Sequence, residues 1–233
     1  MRETSVSGAP TPASASGAQG RRAETRREME ATILRAAERV FAEAGFGGAT
    51  MQLIADNAGL PKANLHYYFP TKEALYRQVV QQIFDIWLHA ADSFDDAPGP
   101  AEAIGAYIDA KMEISRRHPQ GSKVWATEVM HGAPVIQDYL ETTLREWTAD
   151  RAGVIQGWID QGLMAPVDPY QLLYMLWATT QHYADFGHQI ETLNGGRPLS
   201  DDDWARAKAT VRQIILRGIG LGPDPLSAPC HRG

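Results

Sequence analysis

A short segment near residue 60 carries side chains suited to contact with nucleic acid. Lys62 can pair with a phosphate, and the tyrosine hydroxyls that follow it can do the same. Asn64 and His66 carry donors and acceptors that can read base edges in a groove. The candidate DNA-contacting residues are Thr50, Lys62, Ala63, Asn64, His66, Tyr67, Tyr68 and Lys72.

A second group of side chains suits the recognition of a flat polar ring. Spacings of 3, 4 and 4 residues separate Tyr174, Trp177, Gln181 and Asp185, which places them along one helical face. An indole can stack on a ring, a carboxamide can pair with its donors and acceptors, and a carboxylate can accept its N–H. The candidate ligand-contacting residues are Lys123, Trp125, Glu128, Tyr174, Trp177, Gln181, His182 and Asp185. Two alternatives remain open: Trp177 packs in a core, and Gln181 or Asp185 caps a neighbouring helix or bonds across an interface.

The sequence does not predict a metal site, a cofactor or an enzyme. His118, His131, His182 and His188 lack a histidine partner four residues away and a carboxylate-rich loop. The only cysteine, Cys230, lies in a proline-rich tail, and no Ser/His/Asp order or activated thiol is present. The candidate carboxylates are therefore interpreted as binding groups.

The first group needs a scaffold, and the sequence predicts a helix-turn-helix for it. Thr50 can cap a helix that ends near residue 58. Gly59 can adopt the positive φ of a helix C-terminus, and Pro61 suits the first turn of a second helix over 61–68. A capped helix, a glycine turn and a second helix are the order of parts that a DNA reader needs.

The rest of the chain also predicts helices, without strand alternation or repeats. The predicted helices span 24–44, 50–58, 61–68, 72–95, 101–117, 119–131, 134–162, 169–193 and 200–217. We therefore predict an all-α chain with a three-helix DNA-binding head and a larger ligand-binding and dimerisation domain. The predicted divisions are a disordered arm over 1–23, the head over 24–71, the larger domain over 72–221 and a flexible tail over 222–233.

Charge is divided unevenly along the chain, whose formal net charge is −6. Residues 1–75 hold nine basic and eight acidic side chains, against thirteen and twenty in residues 76–233. Four arginines cluster around the start of the first predicted helix, either as a basic arm that reaches DNA or as a solvated helix start: Arg21, Arg22, Arg26 and Arg27. No apolar run reaches the roughly 20 residues of a membrane helix, and the N-terminus lacks a signal-like apolar segment, so we expect a cytoplasmic protein.

The N-terminal segments resemble the TetR family of one-component repressors. The resemblance is carried by FAEAGF (41–46), Thr50, Ile54-Ala55, Ala58-Gly59-Leu60 and LHYYFPTKEAL (65–75). Pro61 stands where the family usually has Ser or Thr, and His66 where it usually has Tyr, which leaves the operator sequence open. The resemblance implies a homodimer that binds a palindromic operator and responds to a small effector.

Four later segments resemble the branch of this family that regulates pyrimidine utilisation and responds to uracil and thymine. They are FDIWL (84–88), HGAP (131–134), APVDP (165–169) and LWATTQHYADF (176–186). This resemblance implies a pyrimidine effector, whose alternating carbonyls and N–H groups match the ring, amide and carboxylate of the second group. Two alternatives are the same architecture sensing an unrelated aromatic or lipophilic ligand, and a helical binding protein or enzyme that no longer regulates DNA.

Dimerisation and signalling are assigned to particular helices. Helix-turn-helix heads need a two-fold partner to occupy two half-sites, and the last two predicted helices are apolar on more than one face. The alternative is that the apolar residues of these two helices complete the core of a monomer. A connector helix over 72–95 joins the head to the larger domain, so a ligand that tilts it would change the spacing of the heads. The interface candidates are Leu172, Leu173, Met175, Leu176, Ile214, Ile215 and Leu216, and the connector stripe is Leu75, Val79, Ile83, Ile86 and Trp87.

Overall fold

The computed structural model describes residues 13–222, and all regular structure in that part of the chain is helical. The predicted all-α fold is confirmed. The α-helices are α1 (Ala13–Gly48), α2 (Met51–Ala58), α3 (Lys62–Tyr68), α4 (Lys72–His89), α5 (Ser93–Asp96), α6 (Pro100–Arg117), α7 (Pro119–Met130), α8 (Gln137–Tyr139), α9 (Arg145–Asp160), α10 (Pro169–Asp185), α11 (Gly187–Leu193) and α12 (Asp201–Gly218). A π-helical segment, Leu140–Leu144, joins α8 to α9.

The helix-turn-helix forms through the capping residues that the sequence indicates. The Thr50 hydroxyl accepts a hydrogen bond from the Leu53 amide at 3.1 Å and begins α2. Gly59 ends α2 with a φ of 68°, a left-handed conformation that favours glycine. Pro61 occupies the N-cap of α3, one position outside the predicted helix start. These local signals fix the turn between α2 and α3.

The first helix is longer than predicted. It begins at Ala13 rather than at residue 24, so helical structure extends into the segment predicted as an arm, while residues 1–12 and 223–233 lie outside the described part. Once a buried stripe nucleates a helix, each further residue adds one hydrogen bond, and an alanine-rich segment extends it at low cost. Near the other end, a φ of 66° at Gly45 interrupts the helix directly after the predicted terminus at residue 44.

Two helices that the sequence predicts as continuous are broken, and a third begins later than predicted. The one predicted over 72–95 ends at His89 and is followed by the short α5, and the one over 169–193 is divided into α10 and α11. The one over 134–162 begins only at α8, after Gly132 and Ala133 adopt positive φ values of 84° and 53°. Apolar periodicity continues across such breaks, because it reports which face is buried and not the φ of a single residue.

Two clusters of buried side chains meet along the connector helix. The first cluster joins α1, α2 and α3 to α4 and α7, so the head has no core separate from these two helices. The second begins with Ala90 and Ala91, just after α4, and joins α5, α6, α9, α10 and α12. Because α4 and α7 belong to the head's own core, a shift of either helix must repack the head.

Close contact between α7 and its neighbours depends on a glycine. A Cβ atom at Gly121 would lie 2.7 Å from Ile83 Cγ1 on α4 and 3.0 Å from Glu38 Oε1 on α1. Distances below 3.0 Å require a neighbour to move. Gly121 therefore sets how closely α7 approaches the connector helix.

We expect Gly121→Ala to destabilise the protein by about 1–3 kcal/mol, because overpacking against Ile83 outweighs the better helix propensity of alanine. Gly153→Ala, the matched control on α9, has no atom within 4 Å of its new methyl and should stabilise the protein by about 0.5–1 kcal/mol. Urea unfolding measures both. Equal stability of the two variants would contradict the close contact at Gly121.

Candidate ligand cavity and nucleic-acid interface

A cavity of about 210 Å³ lies where the two buried clusters meet. It is bounded by α4, α6, α7, α10, the π-helical segment and the start of α9. Sites for drug-sized ligands have roughly 300–1,000 Å³, so this cavity suits a smaller ligand such as a single ring. The lining residues are Phe84, Trp87, Leu88, Tyr107, Lys111, Trp125, Val129, Leu140, Leu144, Trp147, Trp177 and Gln181.

Four tryptophans give the cavity flat apolar walls. Trp87 and Trp125 meet edge to face, with their ring centroids 5.3 Å apart. Trp147 and Trp177 lie with centroids 6.2 Å apart and their planes tilted by 35°. Indole faces stack on planar rings, and they gain more from a flat ligand than from a branched one.

Few polar groups interrupt these walls. Trp177 Nε1 donates a hydrogen bond to the Tyr107 hydroxyl at 3.0 Å, which orients both rings. Burial raises the pKa of Tyr107, so the hydroxyl stays neutral. Gln181 is half-buried in the wall, and among the described residues no partner occupies its carboxamide, which leaves a donor and an acceptor for a ligand.

The sequence analysis missed Lys111, which also lines the cavity. This side chain is 2% exposed, and its ammonium lies 4.2 Å from the centroid of the Trp87 ring. Burial lowers its pKa to about 7, an effect that the negative charge of Asp185 partly opposes. A signal was present, because Lys111 lies four residues after Tyr107 and seven after Ile104, on the apolar face of α6.

The structure brings three of the eight predicted ligand residues to the cavity. These are Trp125, Trp177 and Gln181. The remaining five, Lys123, Glu128, Tyr174, His182 and Asp185, do not line it. A helical face that runs from Tyr174 to Asp185 is about 16 Å long at 1.5 Å per residue, which exceeds the length of a single ring. Only the middle of the face can therefore meet such a ligand.

Glu128 is buried in the packing between helices instead of in the cavity. Its side chain is 3% exposed. One carboxylate oxygen accepts a hydrogen bond from the Tyr76 hydroxyl at 3.0 Å, and the other accepts one from the Val135 amide at 2.7 Å. The bonds tie α7 to α4 and to the turn before α8. Burial and the adjacent carboxylate raise the pKa of Tyr76, which keeps its hydroxyl proton in place as the donor.

The other four side chains lie around α10 and α7 outside the cavity. Asp185 accepts a hydrogen bond from the Ser122 hydroxyl at 2.5 Å, and burial raises the pKa of the carboxyl. Lys123 lies near enough to Asp185 to oppose that shift of the pKa. Tyr174 is 48% exposed, and the exposed His182 ring stacks on Phe186 at 4.9 Å. These positions place both rings on the outer surface of α10.

Helix α3, the proposed DNA-reading helix, presents most of its candidate DNA-contacting side chains to solvent. Leu65 is fully buried and pins α3 to the head, while Phe69 is nearly buried at its end. Tyr68 is half-buried, and Tyr67 is 72% exposed. The exposed DNA candidates on α3 are Lys62, Ala63, Asn64, His66 and Tyr67.

Three of the predicted DNA-contacting residues also have structural partners. The Thr50 hydroxyl caps α2, and His66 Nδ1 lies 3.2 Å from the Pro70 carbonyl oxygen. Lys72 is half-buried, and its ammonium donates to the carbonyls of Phe46 and Ala49 at 2.7 and 3.0 Å. An ammonium has three hydrogens, so one remains for a phosphate.

The arginine cluster of the sequence analysis lies beside α3. The Arg26 guanidinium is 5.9 Å from the ring centroids of Tyr67 and Tyr68, and it pairs with Glu30 at 2.8 Å. Arg21 and Arg22 border the same surface depression. The N-terminal part of α1 thus places positive charge next to the exposed Tyr67 of α3.

The predicted interface residues divide into inward and outward sets. Leu172, Leu173, Leu176 and Ile215 are buried in the second cluster, and Leu216 is half-buried. Met175 is 55% exposed and Ile214 is 64% exposed, and both border an apolar groove between α10 and α12. These two helices therefore leave an apolar surface uncovered in the single chain.

Two other features are absent from the described part of the chain. Among residues 13–222, no group of three or more His, Cys, Asp and Glu side chains is placed to hold a metal ion. None of the helices in this range has both the length and the apolar character needed to cross a membrane.

Both halves of the chain match known families. Residues 33–79 match the family described as bacterial regulatory proteins, tetR family. Residues 80–222 match the family described as YcdC-like protein, C-terminal region. The HTH-type transcriptional regulator RutR of Escherichia coli is 40% identical over 200 residues, which cover 86% of this chain and 94% of RutR.

Solved structures share the fold at lower identity. The ketosteroid transcriptional regulator KstR2 of Mycobacterium tuberculosis has a TM-score of 0.60 at 22% identity, covering 82% of this chain and 94% of that one. AibR in complex with isovaleryl coenzyme A and operator DNA has a TM-score of 0.60 at 18% identity, covering 78% and 96%. At these identities the likeness supports the fold alone.

We expect Tyr76→Phe to destabilise the protein by about 1–3 kcal/mol, because it leaves a buried oxygen of Glu128 without its donor. Tyr139→Phe is the control, since the Tyr139 ring packs against Phe84 and its hydroxyl bonds to no described residue. Urea unfolding measures both variants. If Tyr76→Phe is as stable as wild type, the hydrogen bond to Glu128 has no structural role.

Proposed function

The chain belongs to the TetR family of bacterial transcriptional regulators, and from this premise we propose that it is a homodimeric repressor released from a palindromic operator by uracil or thymine. The observation that carries the proposal is the small aromatic cavity with the free Gln181 carboxamide in its wall. RutR and KstR2, which resemble this chain, are named as transcriptional regulators and not as enzymes.

The cavity supports a pyrimidine as the effector through its shape and its polar groups. A single flat ring fits between indole walls, and a carboxamide offers one donor and one acceptor to an amide edge, which is the pattern of uracil and thymine. Trp177 and Gln181 lie in the segment over 176–186 that resembles the pyrimidine-utilisation regulators. The site residues proposed for the effector are therefore Trp125, Trp177 and Gln181.

The head supports DNA binding through the surface of α3. Lys62, Asn64 and Tyr67 are exposed on one short helix whose inner side is held by Leu65. Arg26 adds a cation beside Tyr67, so a phosphate could be met from two helices. In this proposal Asn64 and His66 read bases, while Lys62, Tyr67 and the arginines position the helix.

The uncovered surface of α10 and α12 supports the dimer. A monomer gains nothing from holding Met175 and Ile214 in water, whereas a second copy would bury them. A two-fold pair also places two reading helices one helical turn of DNA apart, which a palindromic operator requires.

Coupling between the cavity and the head is proposed to run through α4. Phe84, Trp87 and Leu88 line the cavity, while Leu75 and Val79 on the same helix pack in the head's core. A ligand that displaces Trp87 would shift α4 and change the spacing of the two heads. A coupling of about 1–3 kcal/mol would give roughly 5- to 150-fold induction.

We expect uracil and thymine to bind the purified protein in isothermal titration, and Gln181→Leu to weaken that binding roughly 5- to 100-fold, because two hydrogen bonds to the ring are lost. Gln156→Leu makes the same change on the exposed side of α9, where the amide bonds to Asp160, and should bind as wild type does. Binding of an apolar aromatic compound in place of both pyrimidines would contradict the proposed pyrimidine effector. It would leave the proposed role as a ligand-responsive regulator intact.

We expect Lys62→Ala and Asn64→Ala to have different effects on binding to operator DNA that has been selected from a random library. Loss of a phosphate contact by Lys62 should weaken all sequences and reduce the salt dependence by about one ion for each protomer. Loss of a base contact by Asn64 should relax the preference at one position in each half-site by about 1–3 kcal/mol. Fluorescence anisotropy across a salt series measures both effects.

The same assay tests release from the operator. Saturating uracil should lower operator affinity, and sedimentation should find two protomers on each operator. An effector that binds without changing operator affinity would contradict the coupling, and a single protomer on DNA would contradict the dimer.

A further inference from the structure

We infer that Lys111 is the second polar anchor of the effector and donates a charged hydrogen bond to a ring oxygen, an inference that rests on the proposed pyrimidine function. The carboxamide of Gln181 on α10 would hold one edge of the ring, and the ammonium on α6 would hold a carbonyl. The inference restricts the effectors to planar rings that carry an acceptor oxygen in addition to an amide edge.

The cavity wall contains a buried cation that lacks a hydrogen-bond acceptor. Lys111 is 2% exposed, and within residues 20–222 its ammonium makes no hydrogen bond. Among the same residues, only Arg151 Nε is a fully enclosed polar side-chain atom without a partner. Because Lys111 Nζ has no partner and yet is not one of these enclosed atoms, part of its surface is accessible. The side chain lines the cavity, so we infer that this accessible surface faces the cavity.

The surroundings compensate the charge only in part. The face of the Trp87 ring lies 4.2 Å from the ammonium and provides a cation–π contact. Among the described residues no carboxylate lines the cavity, and Asp185, whose charge acts on Lys111, already accepts a hydrogen bond from Ser122. A buried ammonium needs hydrogen-bond acceptors as well as a countercharge. In this proposal, a ligand oxygen provides the acceptor that the protein lacks.

This arrangement also selects against other ligands. A purely apolar ligand would expel water from the cavity and leave the ammonium without an acceptor, which carries a large desolvation cost. A cationic ligand would be repelled. Lys111 therefore favours an oxygen-bearing heterocycle over a lipophilic ligand in a cavity whose walls are otherwise apolar.

Titration of Lys111 gives the inference a second observable. Its pKa of about 7 means that the amine is charged below pH 7 and neutral above it. Affinity for a carbonyl ligand should therefore be greatest at pH 6 and fall by up to tenfold for each pH unit above 7, since binding must restore the proton. The titratable groups near Lys111 are Asp185 and Tyr107, and His182 and Lys123 act on Asp185.

The experiment is isothermal titration at pH 6, 7 and 8 with uracil, pyrimidin-4-one and pyrimidin-2-one, which each lack one carbonyl of uracil. Lys111→Met keeps the length of the apolar stem against Trp87 and removes the ammonium. It should weaken uracil binding roughly 10- to 100-fold at pH 6 and abolish the pH dependence. The analogue that lacks the contacted carbonyl should bind the variant and the wild type alike.

Controls separate this role from folding and from the neighbouring groups. Lys208→Met changes a half-buried lysine of α12 that does not line the cavity, and it should leave affinity and pH dependence unchanged. His182→Gln removes the imidazole near Asp185 and should keep the pH dependence. Lys111→Gln provides a neutral donor, so if Lys111→Met does not fold, this variant should show weakened binding without pH dependence.

The outcomes distinguish this inference from the function on which it rests. If Lys111→Met binds uracil with the affinity and pH dependence of the wild type, the role of Lys111 is overturned and the pyrimidine effector is retained. Failure of wild type to bind any of the three compounds would overturn both. A wild-type pH dependence that disappears in His182→Gln would assign it to the imidazole and overturn the inference.

Discussion

The packing of α4 is the constraint on which the rest of the structure depends. One helix of 18 residues supplies apolar side chains to the core of the head and also to the wall of the cavity. Its contact with α7 is so close that only hydrogen fits at the side-chain position of Gly121. Close-packed interiors transmit small displacements instead of absorbing them. The head and the cavity are therefore linked by geometry and need no separate relay.

Two buried charged side chains near this helix differ in their hydrogen-bond partners. Glu128 has its two oxygens satisfied by Tyr76 and Val135, so it stabilises the meeting of three elements. Lys111 is buried to a similar degree but faces cavity space without an acceptor. An unsatisfied buried charge is costly, and the ligand contact inferred for Lys111 would offset that cost. The contrast arises from the partners and not from the residue types.

The surface proposed to contact DNA combines a buried base with exposed polar groups. Leu65 fixes α3 against the head, and the ammonium of Lys72 ties the start of α4 to carbonyl groups at the end of α1. The side chains available for DNA therefore project from a helix that cannot rotate freely. Arg26 beside Tyr67 extends this surface along α1. Acidic side chains outnumber basic ones in residues 76–233, so the head is the more positive part of the chain.

Features that depend on neighbours along the chain can be predicted from the amino-acid sequence alone. The Thr50 cap, the Gly59 turn and the helical type of each segment follow from local hydrogen bonding and backbone preference, and the structure confirms them. The sequence also predicted Trp177 and Gln181, whose spacing places them on one face. The tertiary structure alone reveals that Glu128 is a packing residue, that Lys111 lines the cavity, that the helices predicted over 72–95 and 169–193 are broken, and that the helix predicted over 134–162 begins late. Burial, hydrogen-bond partners and cavities are made by side chains from several distant helices, and periodicity in one segment carries no information about those partners.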